Sequence, residues 1–432
     1  MTFDRIAGRR AAAPWLLLSI VSSNPLALQA ADAQESPGPP KDVQAERLER
    51  LERRNEELER RLGVVEGRSP ARPQEAGDSE DPGPAPEEEE TGMGIHRGSL
   101  RVAFQLFGDV GFMYNSKPED EGNTAFAFGS MDLFVTAQMG DHFRVLSETV
   151  WEGEGDEIEL EQERLYASYQ WSDFLYAKAG VEHLFVTRWN RLYHHGRWLE
   201  TSVERPHLTR FEDDEGFMPV HFAGVEVGGR WRSPAGLVEY AGVISNGRGP
   251  TPEDRQRLRD LNDAKAVGAW LGFQPARVAG LHVAGSVYFD EIPGDDSIPG
   301  REHHIRELIA SGSAMYRRHN FHLVGEAVWL QNREAFSNRG YEHVSAYLQV
   351  AYQVDLVTPF ARLDYSDMEN GDPYFMPSGT DVDRWEQIFG ARYDFITQAA
   401  LKLEVGFGKV EDSGTGEREW VVTLRSQLAW YF

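Results

Sequence analysis

Between Glu182 and Met218 the chain carries Arg188, Arg191, Arg197, Arg205 and Arg210, with His194 and His195 among them. A guanidinium presents a planar fork of N–H donors matched to carboxylate and phosphate, so a segment this rich in arginine has the chemistry to recognise anions. The same segment holds Glu200, Glu204, Glu212, Asp213, Asp214 and Glu215, which leaves its net formal charge near zero. Two arrangements satisfy that composition. Either the arginines face a passage and favour anions in it, or the charges pair with one another and hold the segment against a wall. Adjacent histidines rarely share one metal, and no spaced carboxylate–histidine motif accompanies His194 and His195, so no metal is expected. No Gly-x-Ser-x-Gly and no outstanding acid–histidine pair is found, so no catalytic residue is assigned, and neither enzyme activity nor a cofactor is expected.

The arginine segment is the longest connection in the chain, and Trp189, Tyr193, Trp198, Phe211 and Phe217 give it the apolar content of a packed loop rather than a loose one. Strand patterns surround it. Alternation of apolar and polar residues predicts strands at 99–115, 125–139, 143–151, 159–171, 174–181, 220–231, 237–244, 264–273, 281–289, 302–317, 321–330, 341–354, 357–365, 384–395, 399–409 and 419–432. That makes sixteen, an even number, as bacterial barrels have. Connections after even-numbered strands are short and rich in Asp, Asn, Gly or Pro. Most of those after odd-numbered strands are longer and more acidic, as at 117–123, 153–158, 246–263, 292–301 and 366–383. Short turns at one end and long loops at the other are what a barrel inserted from one side of a membrane shows; a soluble sandwich has no reason to sort its loops this way.

Phasing the strands places a second set of cations on the face opposite the apolar one: Arg101, Arg144, Arg164, Lys178, Arg230, Arg362, Arg392, Lys402 and Arg425. Asp109, Glu148, Glu226, Glu239, Glu326, Asp364, Asp394 and Glu404 share that face. Acidic and basic rows opposed across a lumen would create a transverse field that orients polar solutes and turns away apolar ones. The loop arginines and histidines are therefore candidate constriction residues, and the nine strand cations candidate lumen-wall residues.

The rest of the chain supports an envelope protein. Arg5, Arg9 and Arg10, the apolar stretch 11–21 and Ala31-Asp32-Ala33 read as a secretory signal over 1–33, followed by a linker at 34–40. A heptad pattern over 41–65 puts Leu48, Asn55 and Leu62 at one core position and Leu51, Leu58 and Val65 at the other, which predicts a short coiled coil. A solvated single helix is the alternative. Residues 66–94, with Glu87–Glu90 in a run, read as a disordered acidic linker, and 95–432 as the barrel. The formal charge of −26 argues against nucleic acid as a partner, and the absence of cysteine agrees with a fold stapled by closed hydrogen bonding.

The final strand alternates Trp420, Val422, Leu424, Leu428, Trp430 and Phe432 against Thr423, Arg425, Gln427 and Tyr431. It resembles the last strand of bacterial outer-membrane barrels, where such a strand closes the barrel and its aromatic end, here Trp430 and Phe432, is read by the insertion machinery. With the heptads ahead of it, the chain looks most like the phosphate-selective porin O/P family. That resemblance implies a sixteen-stranded antiparallel transmembrane β-barrel embedded in outer-membrane lipid. It also implies a homotrimer with the coil in the periplasm, and a third external loop folded into each lumen. The function implied is passive diffusion of small hydrophilic solutes or ions, anions among them. The family's lysine-rich mouth has no counterpart here, so phosphate does not carry over. Two other readings remain at this level: a barrel that tethers the envelope, and an outer-membrane hydrolase.

Overall fold

The computed structural model describes residues 93–117, 123–154, 157–193, 196–210, 216–254, 256, 258–298, 301–376, 383–411 and 418–432. The expected signal, the linker at 34–40, the coiled coil and the acidic linker up to residue 92, and also His194, His195, Phe211, Glu212, Asp213, Asp214 and Glu215, lie outside the described residues.

Seventeen strands form one antiparallel sheet: β1 (Met93–Arg97), β2 (Leu100–Asn115), β3 (Thr124–Met139), β4 (Phe143–Glu154), β5 (Glu157–Ser172), β6 (Leu175–His183), β7 (His221–Ser233), β8 (Gly236–Ser245), β9 (Ala266–Pro275), β10 (Leu281–Ile292), β11 (Ile305–Arg318), β12 (Phe321–Glu334), β13 (Gly340–Tyr352), β14 (Val357–Met368), β15 (Arg384–Ile396), β16 (Ala399–Glu411) and β17 (Arg418–Tyr431). Sixteen of them, β2 to β17, pair each with the next, and β17 returns to β2, so the barrel is closed. The closure runs from Thr423 against Asn115 to Tyr431 against Phe107. Beyond it, Phe432 N–H donates to Leu106 O at 2.8 Å and Leu106 N–H to Phe432 O at 3.1 Å. A sheet closed in this way leaves no row of unpaired backbone groups, which is what lets strands cross hydrocarbon.

The strand missed by the sequence pattern is β1. It folds back on β2 through Gly98 and Ser99, with Gly98 at φ 64°, a value glycine adopts without strain in a two-residue hairpin turn. Its five residues are too few to show a period.

The two faces of the strands are inverted relative to a soluble protein. Along β14, Thr358, Phe360, Arg362, Asp364, Ser366 and Met368 are buried while Val357, Pro359, Ala361 and Tyr365 are exposed. Glu148, Glu226, Glu307 and Lys402 are fully covered on the inward side, whereas Leu271, Val287 and Leu403 are more than half exposed outside. A continuous exposed apolar belt suits lipid rather than water. Trp171, Phe174 and Trp231 are exposed at the short-turn end, where an aromatic girdle sits at a membrane interface. The short connections 140–142, 173–174, 234–235, 276–280, 319–320, 353–356 and 397–398 all lie at one end; the long ones, 184–220, 246–265, 293–304 and 369–383, lie at the other. β4 runs on to Glu154 and β5 begins at Glu157, and β12 and β13 leave only 335–339 between them, because these strands continue further than their apolar alternation does.

Candidate functional site: the loop inside the barrel

The segment between β6 and β7 enters the barrel from the long-loop end. It contains the short helix α1 (Arg188–Tyr193) and two single turns of 3-10 helix, Arg197–Leu199 and His207–Thr209. Leu184, Phe185, Val186, Trp189, Leu208, Phe217 and Met218 are buried in a cluster that reaches Tyr288, Ile309, Leu330 and Tyr347 on the inner wall. Hydrophobic burial thus draws the loop inward, and its polar backbone must then find partners away from water.

Inward side chains supply those partners. At the start of α1, Arg188 N–H and Trp189 N–H donate to the Glu326 carboxylate of β12 at 2.5 and 2.8 Å. Arg362 of β14 donates to Ser202 Oγ at 3.1 Å, Glu204 O at 2.6 Å and Arg205 O at 3.2 Å. Arg392 of β15 donates to Trp198 O and, at 2.8 Å, to Glu200 O. Lys402 of β16 donates to Arg197 O and, at 3.1 Å, to Ser202 O. Glu404, also on β16, accepts from Val203 N–H at 2.8 Å and Glu204 N–H at 3.2 Å. On the remaining strands, Asp132 of β3 accepts from Gly196 N–H at 2.9 Å, and Ser311 of β11 donates to Val186 O at 2.6 Å. A chain 37 residues long is therefore fastened to strands right round the barrel.

Gly196 marks the sharpest bend. Its φ of 81° is left-handed, and an added side chain would meet the Phe107 ring at 3.3 Å. Trp198 packs beside it against Tyr431, with ring centroids 4.4 Å apart, and under the Arg392 guanidinium at 4.9 Å.

Electrostatics inside the loop follow from this packing. Burial opposes the charge on Glu204, but Arg425, Arg210, Arg197 and Arg362 overcome it and hold its carboxyl down at about 2. Burial, reinforced by Arg384 and Arg210, pushes His207 well below the ordinary histidine range, so its ring is neutral. Its Nδ1 lies 2.9 Å from Ser366 Oγ. Burial raises the carboxyl of Glu200 despite Arg197, Lys402 and Arg205 nearby.

The candidate residues separate into three groups. Arg362, Arg392 and Lys402, expected to line the lumen, bind loop carbonyls, and Arg205 is buried at 1 % exposure. Arg164 pairs with Glu148 and Glu182, Arg425 with Glu204 and Glu404, and Arg197 with Glu200 at 3.7 Å. Arg144 is buried on the inner wall, Arg210 is half-buried in the loop, and Arg101 is exposed near the short-turn end. The third group borders open space. A cavity of about 110 Å³ lies between α1 and strands β5 to β9, lined by Lys178, Arg188, Arg191 and Arg230, by Asp173 and Glu239, and by Tyr169, Tyr176, Tyr240 and Trp270. A second, of about 60 Å³, lies across the loop against β11 to β13, beside Trp189, Tyr193, Arg317 and His322.

The aromatic lining of the larger cavity was not anticipated. A signal for it exists in β9, where the inward positions read Ala266, Gly268, Trp270, Gly272: one large ring among small residues. Trp270 lies over Gly272, where a β-carbon would sit 2.5 Å from the indole. Asp132 was likewise missed as an anchor.

Solved structures share this architecture. The outer-membrane channel DcaP of Acinetobacter baumannii superposes with a TM-score of 0.54 at 10% identity, over 78% of this chain and 99% of that one. OmpF of Salmonella typhi, in complex with daunomycin, gives 0.54 at 12% identity over 79% and 100%. OmpT in its trimer form, an outer membrane protein of Vibrio cholerae, gives 0.51 at 10% identity over 77% and 100%. The chain shares the fold of these outer-membrane proteins. No protein-family model matches it, and no curated protein matches it in sequence. At such identities the likeness is one of fold, and the resemblance to the phosphate-selective family is not carried further by it.

Proposed function

We propose that the chain is a passive channel of an outer membrane, with the loop at 184–220 narrowing its lumen and small hydrophilic solutes, anions among them, passing beside the loop. The observation that carries this is the fastening of the loop backbone by Glu326, Arg362, Arg392, Lys402 and Glu404 while lined cavities persist on both sides of α1. A closed barrel needs only packing; a narrowed passage needs a rigid loop together with polar space beside it. Selectivity for anions would come from Arg188, Arg191, Lys178 and Arg230, the cations that border that space. A homotrimer, aided by the heptads at 41–65, and the periplasmic placement of that segment belong to the same reading, as does recognition of Trp430 and Phe432 by insertion machinery.

A barrel closed to solutes is the second reading. It is favoured by the apolar packing of Phe217, Met218, Tyr374 and Phe375 beneath the long loops, where Arg248 donates to Phe217 O and Arg301 to Pro250 O. Single-channel recording in a planar bilayer, with the reversal potential under a salt gradient, separates the two. Ohmic steps with an anion-favouring potential are expected; a silent barrel overturns the channel, and a cation-favouring potential overturns the assigned sign.

A further inference from the structure

We infer that the outer face of the barrel holds the phosphate of an acylated lipid, at the long-loop edge of the apolar belt, between Arg306 of β11 and Arg333 of β12. The inference rests on the reading of the chain as a membrane barrel and not on whether that barrel conducts.

Along β11 the outward positions run Tyr316, Ala314, Gly312, Ala310 and Leu308, and the next is Arg306. Along β12 they run Ala327, Trp329 and Gln331 to Arg333, and along β10 Val287 and Phe289 to Glu291. Phe289 and Leu308 lie opposite one another in the pairing. Two residues nearer the long loops, Arg306 lies opposite Arg333. The lipid-facing surface thus turns from apolar to cationic within one step of the alternation, at the level where hydrocarbon gives way to headgroups.

Residues directly opposite on one face of an antiparallel pair have their β-carbons about 4.5–5.5 Å apart, so two cations there repel. The neighbours do little to relieve this. Arg333 donates to amide oxygens, Gln331 Oε1 at 3.4 Å and Asn338 Oδ1 at 3.5 Å. Arg306, its side chain 57% exposed, has Glu291 at 3.8 Å, too far for a hydrogen bond, and His304 lies at the same distance from that carboxylate. Glu342, also on the outer face, accepts from Gln331 at 3.1 Å. A phosphate seated between the two guanidiniums turns one repulsive pair into charge-assisted bonds from two planar forks. A lipid is the source because the belt continues directly beneath, where Phe289, Leu308 and, one step lower, Trp329 give acyl chains an apolar wall. Lys409 marks the same edge on β16 and provides a contrast. It lies opposite Trp385 and Trp420, its ammonium 5.0 Å from the Trp420 ring centroid, a single charge resting on an aromatic face.

The test is lipid binding by the full chain, purified in neutral detergent and titrated with dioleoyl phosphatidic acid or dioleoyl phosphatidylcholine, bound lipid being counted by native mass spectrometry. Phosphatidic acid is expected to bind about tenfold tighter than phosphatidylcholine, the scale of one added charge-assisted contact. In Arg306→Gln with Arg333→Gln that preference should fall to about twofold or less, while Lys409→Gln should change it by no more than about twofold. Equal binding of the two lipids, an undiminished preference in the double variant, or an equal loss in Lys409→Gln would each overturn the site. Inorganic phosphate that displaces phosphatidic acid at equal concentration would overturn the lipid as occupant in favour of the free anion. Should the double variant not fold, Arg306→Gln alone decides: a loss of about threefold is expected, and no loss overturns the site. Single-channel current of the double variant should match that of the unaltered protein, so a barrel silent in both removes the channel and leaves the lipid site to its own result.

Discussion

The two sides of the inner wall use the same residue types for different ends. On β14 to β16, Arg362, Arg392 and Lys402 reach loop carbonyls and are buried below 10 % exposure. On β6 and β7, Lys178 and Arg230 pair with carboxylates of their own wall and border open space. A cation beside a backbone that has left the water is drawn to its unpaired carbonyls, because an orphaned buried acceptor is costly. A cation beside other side chains stays part of the wall. The difference teaches that a charged lumen is not uniformly a solute-facing one: part of the charge is spent on holding the loop.

The sharpest way to break that contrast is to remove the clamp. Arg362→Gln, Arg392→Gln and Lys402→Gln together should leave the barrel folded and heat-modifiable on gels, since its strands close their own hydrogen bonds. The loop should then lose about 1–3 kcal/mol of docking per residue removed, seen as higher and noisier single-channel current. Unchanged current would mean that apolar packing alone holds the loop. Glu326→Ala, which deprives Arg188 N–H and Trp189 N–H of their acceptor, should act the same way with a smaller amplitude, confined to α1.

Acidification probes the same contrast without mutation. The docked His207 has its pKa lowered below 6.5, so the undocked loop binds the extra proton and docking weakens as pH falls below about 6.5. Glu204 contributes docking stability in full above about 4.5, and this is lost only as pH falls toward about 2. Current noise should therefore rise between pH 6.5 and 4.5 in the unaltered protein and should not rise over that window in His207→Gln, where the raised carboxyl of Glu200 takes up a proton in the docked loop. A window that is identical in both would assign the effect elsewhere. The smallest expected effect is on the cavity side. Arg230→Gln removes a partly exposed pair with Asp173, worth ~0–1 kcal/mol, so melting should hardly move while the reversal potential shifts toward cations.

Strand alternation made most of the fold legible, and it did so most reliably where both faces have a sharp chemical identity. In β17, Leu424 and Leu428 are exposed and Thr423 and Gln427 buried, as the pattern requires. Ends were less legible. β6 runs on to His183 and β11 starts at Ile305 rather than at 302, because strand ends near the inward loop exchange alternation for contacts with it. Of the expected wall cations, Arg144, Arg164, Lys178, Arg362, Arg392 and Lys402 are buried, Arg230 and Arg425 are half-buried and Arg101 is exposed. What each touches was not legible, since Arg392 meets a carbonyl at Trp198 and Arg362 one at Glu204, far away in the chain.

By itself, the sequence determined that the chain alternates, turns and closes. Those properties depend on a two-residue period and on local turn chemistry, which each segment carries within itself. Only the tertiary structure decided which cations clamp the loop and which border space. That choice depends on where the loop backbone runs across the lumen, and the path is set by burial of Trp189, Phe217 and Met218 against strands they do not adjoin in sequence.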